Sequence, residues 1–184
     1  MIKGRIIYLT ELDRDNAEIV RAWLNDPEIH RYLRVGHVPI TREQELRYYD
    51  AHAASSTAYT FEIHLAENGQ YVGNVGVENV DPIHRTCELG LVIGQRENWG
   101  RGYGEDAIVT CLGFAFDTLG LHRVELKCHE DNLRAAMLYR RVGFVEIGRE
   151  RESAYGAARF SDHLLFDMLD REFRARHGEA ARLS

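Results

Sequence analysis

Glu88-Leu89-Gly90-Leu91-Val92-Ile93-Gly94-Gln95-Arg96-Glu97-Asn98-Trp99-Gly100-Arg101-Gly102-Tyr103-Gly104-Glu105-Asp106-Ala107 is the stretch that decides the fold. Its first part, from Cys87 to Ile93, reads as a strand. From Ala107 the apolar residues Ile108, Cys111, Leu112, Ala115, Phe116 and Leu119 recur at helical spacing, with Gly120 placed to end the helix. Five of the 16 glycines, at positions 90, 94, 100, 102 and 104, fall in or beside the turn between them. A glycine-rich turn at a helix N-terminus lets the backbone approach an anion, with free N–H groups and the positive end of the helix dipole pointing the same way. Two known phosphate motifs fail on spacing: GxxxxGK[ST] is absent, and GxGxxG would need glycine where Glu105 stands. Taken alone, the loop is either an anion cradle or a plain tight turn.

Upstream, Arg5 to Thr10 reads as a strand, and Asp13 caps a helix whose apolar stripe is Ala17, Ile19, Val20, Trp23 and Leu24. A second helix is expected from Thr41 to Ala53. The connection from His30 to Pro39 is irregular, with a basic cast from His30, Arg31, Arg34 and His37. Thr60 to Leu65 and Tyr71 to Val80 are strands joined by a turn at Asn68-Gly69. Downstream, Val124, Leu126 and Cys128 alternate with Arg123, Glu125 and Lys127, the pattern of a half-buried strand. Ala135, Leu138, Tyr139 and Val142 share a helical face between Asn132 as N-cap and Gly143 as stop. Phe144 to Ile147 and Phe160 to Met168 complete the strands. With no repeat, linker or low-complexity tract, one domain is expected over residues 1–170. The arginine-rich tail 171–184 is either a solvated helix or a frayed end.

At 184 residues the chain can bury a core without staples. A formal net charge of −6 weighs against affinity built on nucleic-acid phosphates. Cys87, Cys111 and Cys128 form no CxxC pair, and the nine histidines show no ligand spacing, so neither a disulfide framework nor a metal is expected. The first residues carry too short an apolar run for a signal peptide, and no run approaches a membrane span, so a soluble cytoplasmic protein is expected.

Two blocks together resemble the GNAT superfamily of acyl-CoA-dependent N-acyltransferases. One runs from Glu88-Leu89-Gly90 through Trp99-Gly100-Arg101-Gly102-Tyr103-Gly104-Glu105-Asp106-Ala107; the other is Asn132, Ala135, Leu138-Tyr139 and Gly143-Phe144. Ile83-His84-Arg85 and Leu119-Gly120-Leu121-His122-Arg123 are most similar to the branch holding ribosomal-protein alanine and spermidine acetyltransferases. The resemblance implies an α/β (α+β) fold: a mixed, mostly antiparallel sheet of about seven strands, splayed between two central ones and flanked by about four helices. Acetyl-CoA would be the cosubstrate, with its pantetheine arm in the opening. The backbone of Leu91, Val92 and Ile93 would pair with that arm, Val92 N–H polarising the thioester, while Asn132 contacts it. Amides of Arg101, Gly102, Tyr103 and Gly104 would hold the pyrophosphate. Arg96 and Arg101 are either further phosphate partners or merely exposed. Trp99 stands where many members carry Gln or Arg, and Ala135 replaces a frequent Ser. A homo-oligomer is a further implication, since relatives assemble through their sheets.

Acetyl transfer needs a neutral amine, a polarised carbonyl and a proton for the leaving thiolate. An alkyl amine is neutral in only about one molecule in 2500 at pH 7, an α-amine in about one in six. Glu88, on the strand before the loop, is the candidate base, acting through water; its other reading is a solvent-facing strand residue. Tyr139 is the candidate acid, against a second reading as core. Cys128 as an acetyl carrier is the less favoured route. The acceptor is a small-molecule amine or a protein N-terminus, and the absence of acids between His30 and His37 weighs against a polyamine. A non-catalytic acyl-CoA sensor of the same fold is the alternative.

Overall fold

Alternation of apolar and polar residues folds into eight strands: β1 Ile2–Lys3, β2 Ile7–Glu11, β3 Tyr59–Leu65, β4 Tyr71–Asp81, β5 Thr86–Ile93, β6 Arg123–His129, β7 Val145–Gly156 and β8 Arg159–Leu169. These come from a computed structural model that describes residues 1–33, 38–156 and 159–178. Among the described residues the α-helices are α1 Ala17–Leu24, α2 Pro27–His30, α3 Arg42–Ala53, α4 Tyr103–Gly113, α5 Leu133–Val142 and α6 Asp170–His177. One sheet holds every strand in the order β1-β2-β3-β4-β5-β6-β8-β7. All neighbours are antiparallel except β5 and β6.

The sheet has two differently covered faces. Ile63, Val75, Val77, Leu89, Val124, Leu126 and Phe166 pack in one buried cluster with Ile108, Leu112 and Ala136 of α4 and α5. Burying each large aliphatic side chain of this kind contributes about 1.5–3 kcal/mol. On the opposite face, Val20, Trp23, Ile29 and Tyr49 of α1 to α3 form a second cluster against Tyr71 and Val92. Glu62, 1% exposed, anchors the second layer by accepting Asp13 N–H and both Asn16 Nδ2 contacts at 3.0 Å.

Local chemistry sets the element ends. Thr41 and Gln44 make a reciprocal capping box for α3. Asn132 Oδ1 accepts Ala135 N–H at 3.2 Å to cap α5, and Gly143, at φ +115°, closes it in the left-handed region.

Four expectations shift. The strand count is eight because Ile2–Lys3 pairs with Tyr8 and Leu9, a contact too short to carry any periodicity. β2 starts at Ile7, not Arg5, because Ile6 and Ile7 N–H both donate to Asp106 Oδ2, at 2.7 and 3.1 Å. β7 runs far beyond Ile147: two register shifts and a run of charged residues on this edge strand interrupt the alternation. The tail to His177 is a docked helix, pinned by Phe173 at 1% exposure, and its other apolar positions are too few to read as a stripe.

The Asp106 side chain is 2% exposed, so replacing it by alanine strands the buried Ile7 N–H and removes the partner of the part-buried Ile6 N–H. Asp106→Ala is expected to lower stability by about 2–3 kcal/mol in urea unfolding, and an unchanged midpoint would contradict this role.

Candidate active site

β5 and β6 pair over only three residues, Thr86 with Arg123, Cys87 with Val124 and Glu88 with Glu125. Beyond Glu88 the strands part, although β5 stays paired with β4 through Ile93 and β6 with β8 through His129. The closed end is held by the Arg85 carbonyl, which accepts both His122 and Arg123 N–H at 2.7 and 3.2 Å. The result is a slot between two strands whose facing edges carry backbone groups without a ladder.

Which groups face the slot follows from alternation. Gly94 N–H donates to the Val72 carbonyl at 2.9 Å, so the Val92 N–H, two residues earlier, turns the same way toward its register partner Asn74. The expectation that Val92 N–H is free for a ligand is therefore corrected: the sheet uses it, and Leu91 and Ile93 face the slot instead. The Ile93 carbonyl accepts Trp99 Nε1–H at 2.9 Å, leaving the Leu91 peptide groups and the Ile93 N–H.

At the mouth of the slot lies the glycine loop. Gly100 and Gly102 have φ of +74° and +88°, and Gly102 caps α4. A Cβ on Gly104 would come within 3.2 Å of Leu91 and 3.4 Å of Leu138, so the absence of a side chain lets α4 sit close to both arms. Arg101 is exposed and has no ion-pair partner among the described residues. Arg96 is committed elsewhere, to Glu28 at 2.7 Å. Trp99 holds its indole under Arg134, whose Cζ lies 4.0 Å from the ring centre. That contact joins the loop after β5 to the helix after β6 across the mouth. Tyr32 and His129, with ring centres 6.1 Å apart, bridge the other face. Arg34 and His37 lie outside the described residues.

Tyr139 projects from α5 into the first cluster, 9% exposed, with ring centres 6.1 Å from Phe144 and 5.6 Å from Phe166. Burial pushes its phenol well above the ordinary value, with the neighbouring Cys128 adding to the shift. The phenol therefore stays protonated at neutral pH. Cys128 is also buried, and burial pushes its thiol up to about 11, which removes the thiolate an acetyl carrier would need. Asn132 uses Oδ1 for its cap and so leaves its Nδ2 donor for another partner.

Glu88 lies on the face opposite Tyr139, half-buried, 3.5 Å from Asn79 Nδ2. Sequence reading did not foresee its neighbours: Glu78 of β4 and Glu125 of β6 are its register partners on either side. Beside Glu88, Gly76 and Gly90 are paired, and a Cβ built on Gly90 meets nothing within 4 Å. The sheet thus has an open floor next to the slot, bordered by carboxylates. Only cross-strand register brings these residues together, so no spacing within the chain signals them.

A family profile described as "Acetyltransferase (GNAT) domain" matches residues 7–145. The chain is 24% identical over 171 residues to the uncharacterized N-acetyltransferase p20 of Bacillus licheniformis, covering 91% of this chain and 94% of that protein. It is 26% identical over 160 residues to spermidine N(1)-acetyltransferase of Vibrio cholerae, covering 87% and 84%. The solved structure of Vibrio cholerae spermidine N-acetyltransferase in complex with CoA and spermine superposes with a TM-score of 0.84 at 24% identity, covering 91% of this chain and 97% of that one.

Glu45 is one of the acids, with Asp26, Glu28 and Glu43, that flank the His30 to His37 stretch in the sequence. It is 4% exposed on α3, and its carboxylate has no hydrogen bond or ion pair among the described residues. Burial pushes it up to about 7, with Arg21 opposing weakly. Its folded value exceeds the unfolded one, so its contribution to stability is full below about pH 4 and is lost as pH rises toward 7. Glu45→Gln is expected to gain stability relative to the parent at pH 8, by up to about 3 kcal/mol, but not at pH 4. Equal thermal shifts at both pH values would contradict the buried neutral carboxyl.

Proposed function

This chain belongs to the GNAT acetyltransferase family, and from that premise we propose that it moves an acetyl group from acetyl-CoA to a primary amine arriving over Gly90. The observation that carries this reading is the slot between β5 and β6, with the glycine loop at its mouth; Tyr139, in the buried cluster on the α4–α5 face, is the residue we assign to its wall. Amides of Arg101, Gly102, Tyr103 and Gly104 hold the pyrophosphate at the start of α4, where the helix dipole favours negative charge. Arg101 adds a free cation; Arg96, paired with Glu28, does not. Leu91 and Ile93 offer backbone groups to the amide-bearing pantetheine arm, and Asn132 Nδ2 reaches it from the other side.

Reaction then takes place across the sheet. The neutral amine attacks the thioester carbon from the open floor at Gly90, the C–S bond breaks, and the sulfur takes a proton. Tyr139 gives its phenol proton to the departing sulfur from the helical side and regains one from solvent. Because burial holds the phenol protonated, it donates throughout the working pH range. Glu88 receives the amine's proton from the opposite side, through water. The carboxylates Glu78 and Glu88 beside the floor favour a cationic acceptor, whereas Glu125 is paired with Arg123. This reverses the argument against a polyamine drawn from the early helical region, because the acids sit on the strands.

A panel of spermidine, an alanine-initiated peptide and an aminosugar with acetyl-CoA, read by thiol release, tests the reading. Turnover is expected with at least one amine; tight acetyl-CoA binding with none would favour a sensor. Tyr139→Phe is expected to lower kcat by about tenfold or more with KM for acetyl-CoA little changed. Glu88→Gln should move the rate profile toward higher pH, since only amine already neutral in solution then reacts, and an unmoved profile would point to another base.

A further inference from the structure

His52 stands at the C-terminal end of α3, over β4, with a side chain 13% exposed. Its Nδ1 lies 2.9 Å from the Tyr48 carbonyl oxygen. A carbonyl can only accept, so Nδ1 carries a hydrogen, and in the neutral form of the ring Nε2 is the nitrogen without one. That nitrogen has no hydrogen-bond partner and faces Glu78 Oε1 at 3.5 Å. Glu78 in turn is the cross-strand partner of Glu88, on the same face of the sheet. Directly opposed strand residues place their Cβ atoms about 5 Å apart, within reach of a direct carboxyl contact or one bridging water.

Resting on the assignment of Glu88 as the base, we propose that Glu78 and His52 are positioning residues that carry the acceptor's proton away from Glu88 to His52 Nε2. The proton leaves the acceptor's ammonium group for the Glu88 carboxylate, freeing the neutral amine to attack, then passes to Glu78 and ends on the imidazole, which becomes an imidazolium still donating from Nδ1 to Tyr48. No bond other than N–H and O–H changes along this path. An ordinary imidazole holds a proton about two units more tightly than an ordinary glutamate. A path ending on histidine therefore makes deprotonation of an alkyl amine less unfavourable than one ending on a carboxylate. Other groups facing the path are few. From α3 come Tyr48, 3.4 Å from Thr60 on β3, and Glu45 one turn before it; from β4, Asn79; and from β6, Glu125, whose charge is taken by Arg123. Burial pushes the Tyr48 phenol up to about 12, so it does not exchange the proton at working pH.

The test is the pH profile of kcat for Glu88→Gln, Glu78→Gln, His52→Gln and the double variant His52→Gln/Glu88→Gln, with spermidine and an alanine-initiated peptide as amines. Each single variant is expected to move the rising limb toward higher pH and to lower the rate at pH 7 by about five- to tenfold, and the double variant to move no further than Glu88→Gln. Long-range proton–nitrogen spectra of the resting protein should show His52 protonated at Nδ1 only, a readout that needs no amine. A limb moved by Glu88→Gln but not by His52→Gln would overturn the path while leaving the base in place. A limb unmoved by Glu88→Gln would remove the base and the path together. Additive shifts in the double variant, or the opposite ring tautomer, would also overturn it. Thermal unfolding of each variant separates a folding defect from these outcomes.

Discussion

Two neighbouring strands that stop sharing hydrogen bonds halfway along are the constraint on which the rest of this molecule depends. β5 and β6 are laddered on their outer edges, to β4 with one register shift and to β8, and are tied at one end by the doubly accepting Arg85 carbonyl. Past Glu88 their inner edges diverge. Buried peptide groups left without partners are costly, so a sheet can keep such a gap only if water or a ligand rich in amides occupies it. The pantetheine arm of coenzyme A is such a ligand, and the glycine loop lies where its phosphates would emerge.

The two faces of the sheet divide the chemistry between them. On one, α4 and α5 bury Tyr139 among aromatic rings and hold its phenol in the donor form. On the other, α1 to α3 leave Gly90 uncovered, and the strands beside it carry Glu78, Glu88 and Glu125. Under the proposed roles, acid and base would approach the slot from opposite faces of the sheet and could not neutralise one another. Glu62 and Asp106, both almost fully buried, serve neither side. They satisfy backbone donors at Asp13, Ile6 and Ile7 and so hold the two layers in place.

Much of this was legible in the order of residues because it is local. Strand and helix periods, the caps at Thr41 and Asn132, and the glycine loop all lie within short windows. The slot is different: it is a missing interaction between segments about thirty-five residues apart, and no periodicity marks a bond that is not made. The same holds for the row formed by Glu78, Glu88 and Glu125, and for the length of β7, whose register shifts disguise its alternation. Val92 shows a finer limit. A motif can name the strand that borders the cofactor, but only the phase of the β4 ladder tells which of its amides are free.

Trp99 is one of only two tryptophans in the chain, and the other, Trp23, lies 7% exposed in the cluster beneath α1 to α3. Trp99 is half-exposed at the slot's mouth, with a guanidinium resting on its indole. A polyphosphate arriving there offers that guanidinium a stronger counter-charge than an aromatic face can. A phosphate-bearing ligand at the mouth would therefore alter the surroundings of one of the chain's two tryptophans, an optical gauge of occupancy that needs no attached dye.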